Sequence, residues 1–254
     1  MNALPQTTNQ AFCSDQLRRY DPDRYLIALF QPRRLRRSAI ALATWNLELA
    51  RARPPSGEQT IGLMRLQWHR DALSEIAEGR PRHHPVIEEL AFAHRAGMLN
   101  VERLKKVVDA RERDIDPAPM GNINDLESYA RATNGALHAE LWQDTPAARA
   151  AEDAGTSFAL IGIARSELMN SARGRPWVPQ PLDQNLRLII DRGVALARST
   201  APRGYQAAMA PIILANAYAK RAARACFDTR SPNMMKPDPN RTLRMIFARL
   251  CGRI

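Results

Sequence analysis

Lysine, cysteine, aromatic residues and long apolar runs are all scarce in this chain of 254 residues. The three cysteines, Cys13, Cys226 and Cys251, stand far apart. No pair has zinc-ligand or redox spacing, so a disulfide framework is excluded and ordinary thiols in a reducing compartment are expected. Only Lys105, Lys106, Lys220 and Lys236 are lysines among 37 basic residues, so arginine carries nearly all of the net charge of +11. Arginine binds phosphate through a planar fork, although Arg-rich, Lys-poor usage also fits a GC-rich genome. Aromatics are 6% of the chain. With no nucleic-acid-binding motif present, a nucleic-acid partner is not expected.

No run of about 18 apolar residues appears, so no transmembrane helix is expected. The start MNALPQTTNQAFCSDQ has no basic segment followed by an apolar core, which argues against a secretory signal. The expected location is the cytoplasm, with a peripheral position on the inner membrane open. Strand signals are missing as well. The five histidines show no His-x-x-x-His or Cys/His spacing, and no metal site is expected from them. Gly-x-Ser-x-Gly, Gly-x-Gly-x-x-Gly and Walker-type loops are all lacking.

What is present is helical periodicity almost throughout. Asp21-Pro22 reads as a helix start. A helix from Ser38 to about Arg53 ends at Pro54-Pro55-Ser56-Gly57. The next places Ile61, Met64, Trp68, Ala72 and Ile76 on one stripe and stops at Gly79. Asn100 caps another, Asn122 or Asn124 the one after, and a long helix runs from about Ala147 to Ala172. Pro117 and Pro119 close a helix. Trp45, Trp68 and Tyr129 are expected to pack the core. The fold class is all-α. The expected organisation is a flexible N-terminus over 1–20, one helical domain over 21–226, a linker over 227–240 and an amphipathic C-terminal helix over 241–254, docked on the same domain.

The most telling stretch is GTSFALIGIARSELMNSARGRPWVP, residues 155–179. An apolar helix runs into Arg165, and Gly174-Arg175-x-aromatic-x-Pro follows. This frame resembles the second acidic signature of the squalene/phytoene synthase family. Three further stretches look like the same family. They are AIALATWNLELAR (39–51), GLMRLQWHRDAL (62–73) followed by His84-Pro85-Val86, and Leu126-Glu127-Ser128-Tyr129-Ala130 followed by Gly135. The wording around Asn46-Leu47-Glu48, TIGLMRLQ (60–67) and DARERD (109–114) is similar to one divergent branch. That branch contains assembly factor 6 of respiratory complex I and its bacterial relatives.

The resemblance implies a single-domain, isoprenoid-synthase-type helical bundle around a central cavity. It also implies two magnesium-holding acidic motifs. Their places here read Ala50, Arg51 and Pro54 in the first and Ser166, Met169 and Asn170 in the second. Magnesium is a hard ion that wants oxygen ligands, usually carboxylates, and its clamp on a departing diphosphate is the core of the family's chemistry. Alanine, arginine and proline supply none of this. Ser166 and Asn170 supply one weak neutral ligand each. No catalytic residue and no cofactor are therefore assigned.

The resemblance places Glu48, Trp68, Tyr129 and Glu167 on the cavity wall. Arg165, Arg173 and Arg175, with Arg51, are candidates to hold the phosphate of an isoprenoid or phospholipid; the alternative is that they cap helix ends. Asp109, Glu112, Asp114, Glu152 and Asp153 are expected to be solvated helix charge paired with arginines. Arg33-Arg34-Leu35-Arg36-Arg37 is read as a solvated helix face. The C-terminal stripe of Leu243, Ile246, Phe247, Leu250 and Ile254 closes the bundle or lies on an anionic membrane surface, and both can hold, since a docked helix can still present arginines to lipid. Two functions follow. One is a degenerate, non-enzymatic assembly or lipid-binding factor at the membrane, with complex I subunits as partners. The other is a magnesium-dependent head-to-head prenyltransferase acting on farnesyl or geranylgeranyl diphosphate.

Overall fold

The computed structural model describes residues 8–53 and 58–251. The chain divides into two compact units, 1–115 and 116–254. Both are helical, with no strand among the described residues. No described helix is long and apolar enough to cross a membrane. The division falls beside Pro117 and Pro119, where the sequence ends a helix without marking a domain boundary.

The first unit holds α1 (Thr8–Tyr20), α2 (Pro22–Phe30), α3 (Arg36–Ala50), α4 (Gln59–Ala77), α5 (Pro85–Arg95) and α6 (Val101–Arg111). Asp21 caps α2 by accepting the Arg24 N–H at 3.0 Å, and Pro22 fills the first helical position. Asn100 caps α6 through the Glu102 and Arg103 N–H groups. Gly79 and Gly97, with φ of +74° and +69°, end α4 and α5 in the left-handed conformation that glycine adopts at least cost. α3 packs on α1, α2 and α5 and buries Trp45 and Leu49.

The second unit is built on α9 (Ala148–Ala172). Around it lie α7 (Ile123–Ala130), a π turn (Arg131–Gly135) leading into α8 (Ala136–Glu140), α10 (Leu182–Leu196) and α11 (Ala210–Arg224). Of the two candidate caps for α7, Asn122 does the work, accepting the Asp125 N–H at 3.0 Å. α9 meets the π turn backbone to backbone. A Cβ added at Gly155 would sit 2.6 Å from Asn134 O and 3.1 Å from Gly135 Cα. Two glycines, one on each side, permit this approach. The chain continues into α12 (Pro232–Met235) and α13 (Arg241–Cys251).

Of the N-terminal segment expected over 1–20, residues 8–20 form α1, whose Cys13, Ser14 and Leu17 are buried, and residues 1–7 lie outside the described residues. The 227–240 segment is not a loose linker. Met234 and Asp238 are buried within it, and Asp238 accepts Arg244 Nε at 2.6 Å. Finally, α13 does not close the bundle with its apolar stripe. Met245 and Ala248 face inward, while Leu243, Ile246, Phe247 and Leu250 are exposed. Ile254 lies outside the described residues.

Candidate functional site

Three of the expected residues of the first unit, Glu48, Arg51 and Trp68, line one cavity of about 420 Å³. Ile61 and Met64 extend its apolar wall, and Ala52, Arg65 and His69 complete it. That volume lies within the range of small-molecule pockets. Trp68, expected both to pack the core and to line the cavity, lies on the cavity side, while the buried residues of α4 are Gly62, Leu66, His69, Ala72, Leu73 and Ile76. Met64 is 67% exposed. The i, i+3, i+7 spacing correctly identifies an apolar face, and that face lines the cavity. Ala50 is exposed, and Pro54 lies outside the described residues.

Burial dominates the electrostatics here. It pushes the Glu48 carboxyl up to about 7 against the opposing pull of Arg51. The Arg51 guanidinium stands 4.3 Å from the Tyr20 ring centre. Arg65 donates to the Arg51 and Ala52 carbonyls at the end of α3. Behind the wall, Trp45 Nε1 donates to His69 Nδ1 at 3.2 Å. Burial lowers His69 to about 4, so the ring is neutral. Sequence reasoning missed His69 and His84. His84 Nε2 lies 3.8 Å from Glu48 Oε1, and its buried Nδ1 has no hydrogen-bond partner. Burial lowers its pKa as well. The Trp68 ring presents edge contacts to both histidines, at 5.0 and 5.4 Å. A carboxyl titrating at about 7 can either give or take a hydrogen bond at the cavity wall.

In the second unit the 155–179 frame is held by Glu167. This carboxylate is fully buried. It accepts Ser171 Oγ at 2.8 Å and the Trp177 and Val178 N–H groups at 3.0 and 3.2 Å. Burial raises its pKa, and the three hydrogen bonds oppose that. Gly174 has φ of +68°. Its N–H bonds to Ser171 O, and that of Arg175 to Asn170 O, both at 2.9 Å. This pair is the Schellman pattern that ends a helix on a left-handed glycine. Trp177, in turn, stacks on Tyr129 with ring centres 4.8 Å apart. Glu167, Trp177 and Tyr129 are thus brought together as a packed turn.

The arginines of the frame diverge in role. Arg165 is not an open anion-binding group. Its guanidinium donates to the carbonyls of Met234, Met235 and Lys236 and stacks 3.4 Å from the Tyr218 ring centre. Arg173 is exposed, and Arg175 is half-buried at the helix cap. Ser166 and Asn170 bond to each other at 3.1 Å, and Met169 is exposed.

These residues do not fit magnesium. Among the described residues, no three His, Cys, Asp or Glu side chains form a group able to hold a metal ion. Other acids pair with arginines instead. Arg70 holds Asp109 and Glu112, and Arg131 holds Glu127, Glu152 and Asp153. Asp114 and Asp153 are buried rather than solvated. Arg111, also buried, reaches Asp114 and Asn46, so the branch-specific wording of α3 and α6 forms one interior polar contact.

The squalene/phytoene synthase family model matches residues 17–235. The complex I assembly factor 6 of Bos taurus is 32% identical over 186 residues, covering 71% of this chain and 56% of that protein. The Homo sapiens protein is 32% identical over 176 residues, covering 67% and 53%. A dehydrosqualene synthase solved in complex with a ligand superposes with a TM-score of 0.71 at 14% identity, covering 96% of this chain and 97% of the other. The squalene synthase HpnC from Alicyclobacillus acidocaldarius gives 0.68 at 16% identity, covering 87% and 95%. These two show the shared isoprenoid-synthase-type all-α fold. The chain spans about half the length of the curated relatives it matches.

Proposed function

The chain belongs to the squalene/phytoene synthase family, and from that premise we propose that it is a non-enzymatic member serving the assembly of respiratory complex I. One observation carries the reading. The two metal positions hold Ala50, Arg51, Ser166, Met169 and Asn170, and the nearest acids are engaged otherwise. Glu48 is desolvated, and the Glu167 carboxylate fastens the turn that follows α9. Drawing off a diphosphate needs an ion held by oxygens, usually carboxylates, and this set offers only the neutral oxygens of Ser166 and Asn170. The names of the mammalian relatives support the direction.

The cavity beside Glu48 suits an isoprenoid or phospholipid ligand. Its apolar chain would lie along Ile61, Met64 and Trp68, with the phosphate toward Arg51 and Arg65. In this reading the protein needs no metal or other cofactor. It works from the cytoplasmic face as a peripheral protein of the inner membrane, on complex I subunits.

Two measurements test it. Deleting the gene is expected to lower assembled complex I, and a clean deletion with normal complex I removes the assembly role. Incubating the purified chain with farnesyl diphosphate and magnesium is expected to release no more diphosphate than a no-enzyme control. Release well above that control reinstates the prenyltransferase.

A further inference from the structure

The helix α13 turns its apolar side to solvent. Leu243 is 66% exposed, Ile246 51%, Phe247 66% and Leu250 80%. The inward side, Met245 and Ala248, is buried, and α13 packs on α11. Docking on the protein and presenting an apolar face therefore use opposite sides of one helix. At about 100° per residue, Ile246 and Phe247 bound an arc of about 100°, with Leu243 and Leu250 between them. Arg249 lies about 60° beyond one edge and Arg244 about 60° beyond the other. No acidic residue occurs in the helix. It also lies beyond the family-matched residues 17–235.

We propose that α13 is a docking surface for an anionic phospholipid bilayer. Its Leu243, Ile246, Phe247 and Leu250 face enters the boundary between headgroups and acyl chains, and Arg244 and Arg249 engage lipid phosphates at the two edges. Charge complementarity selects this occupant. An apolar arc bordered by cations on both sides matches an interface that is apolar below and anionic above. A second copy of the chain fits poorly. Two such arcs meeting face to face would bring together basic chains that each carry +11, with no acid in either helix and the Asp238 carboxylate already held by Arg244. Arg244 donates Nε to Asp238 at 2.6 Å with its side chain 45% exposed, which anchors the guanidinium at the edge of the arc. The inference rests on the membrane-surface placement above and not on the complex I reading.

The test is flotation of the full chain with phosphatidylcholine vesicles, with and without phosphatidylglycerol, at low and high salt. The chain is expected to float with the anionic vesicles and to lose binding as salt rises. Changing Ile246→Asp together with Phe247→Asp should cut the bound fraction about tenfold or more. Both side chains are exposed, so an unchanged circular dichroism spectrum is expected; Leu250→Ser makes the same test without a new charge, with a several-fold loss. The proposal is overturned if the chain stays unbound, if these variants bind as well as the original, or if neutral vesicles bind equally. It is also overturned if the lipid-free chain is a dimer that the double variant dissolves. A chain that floats yet leaves complex I intact on deletion keeps the docking surface and removes the assembly role. The converse result removes the surface alone.

Discussion

Glu167 accepts the backbone N–H of Trp177 at 3.0 Å, ten residues along the chain and around the turn that ends α9. The same carboxylate takes the N–H of Val178 at 3.2 Å. Removing it strands two backbone donors beside a buried carboxylate site. Glu167→Ala should therefore destabilise the protein by about 3 kcal/mol or more. Glu167→Gln, which keeps an accepting oxygen, should cost less than half of that. Urea unfolding followed by circular dichroism measures both. Equal losses for the two variants would show that the carboxyl acts through charge and not as an acceptor.

Two glycines of α9 should respond in opposite directions. At Gly155 a new Cβ meets Asn134 O at 2.6 Å and His138 Cβ at 2.9 Å, and the first of these is backbone that cannot swing aside. Gly155→Ala should cost about 1–3 kcal/mol through overpacking. At Gly162 a new Cβ meets nothing within 4 Å. There the helix gains from the lost backbone freedom of the unfolded chain, by about 0.5–1 kcal/mol. Melting temperatures of the two variants, shifted down and up, check the pair.

Glu48 should make stability fall as pH rises from about 4.5 to about 7. The unfolded carboxyl ionises near 4.5, while the folded one holds its proton to about 7. Between those values the folded state binds the extra proton, so stability falls as pH rises and levels off above about 7. Glu48→Gln removes the charge that burial penalises. It should raise stability by on the order of 1–3 kcal/mol at alkaline pH and leave it nearly unchanged in acid. Thermal unfolding of both proteins across this range is the measurement.

His138 should act on the acid side. Its Nε2 donates to Ala208 O at 2.7 Å. Burial lowers its pKa to about 4, against the smaller opposing effect of that bond. The unfolded imidazole protonates near 6.5 and the folded one resists to about 4, so stability drops as pH falls through this window. His69 contributes in the same sense and the same window. His138→Gln, which can still donate to Ala208 O, should flatten the acid limb by about 1–3 kcal/mol. An unflattened profile would assign the limb to other groups.

Local signals were legible in the chain, and distant partners were not. Asp21, Asn100, Asn122, Gly79 and Gly97 act within a few residues of where they stand, and each sits at the helix end it marks. That Ala50, Arg51, Ser166, Met169 and Asn170 are not carboxylates could be read directly from residue type. Periodicity shows that a face is apolar but not what covers it. Hence Trp68, expected both in the core and on a cavity wall, lines a cavity, and the α13 stripe, for which bundle and membrane were both open, is exposed. Arg165 reaches Met234, 69 residues away, and Arg111 reaches Asn46, 65 residues away. No spacing rule connects residues that only tertiary packing brings together. The Gly174-Arg175 pair forms the left-handed turn that ends α9.

Asp238 is a joint with two arms. Arg244 of α13 holds it at 2.6 Å and Arg221 of α11 approaches at 3.9 Å, while its own N–H reaches the Tyr218 hydroxyl. The C-terminal helix is therefore set at a defined angle to α11 and does not swing as a tether would. Whatever surface that helix rests on, the helices of the second unit inherit a fixed tilt from it. If that surface is the membrane proposed above, Asp238 would set which way the second unit stands on it.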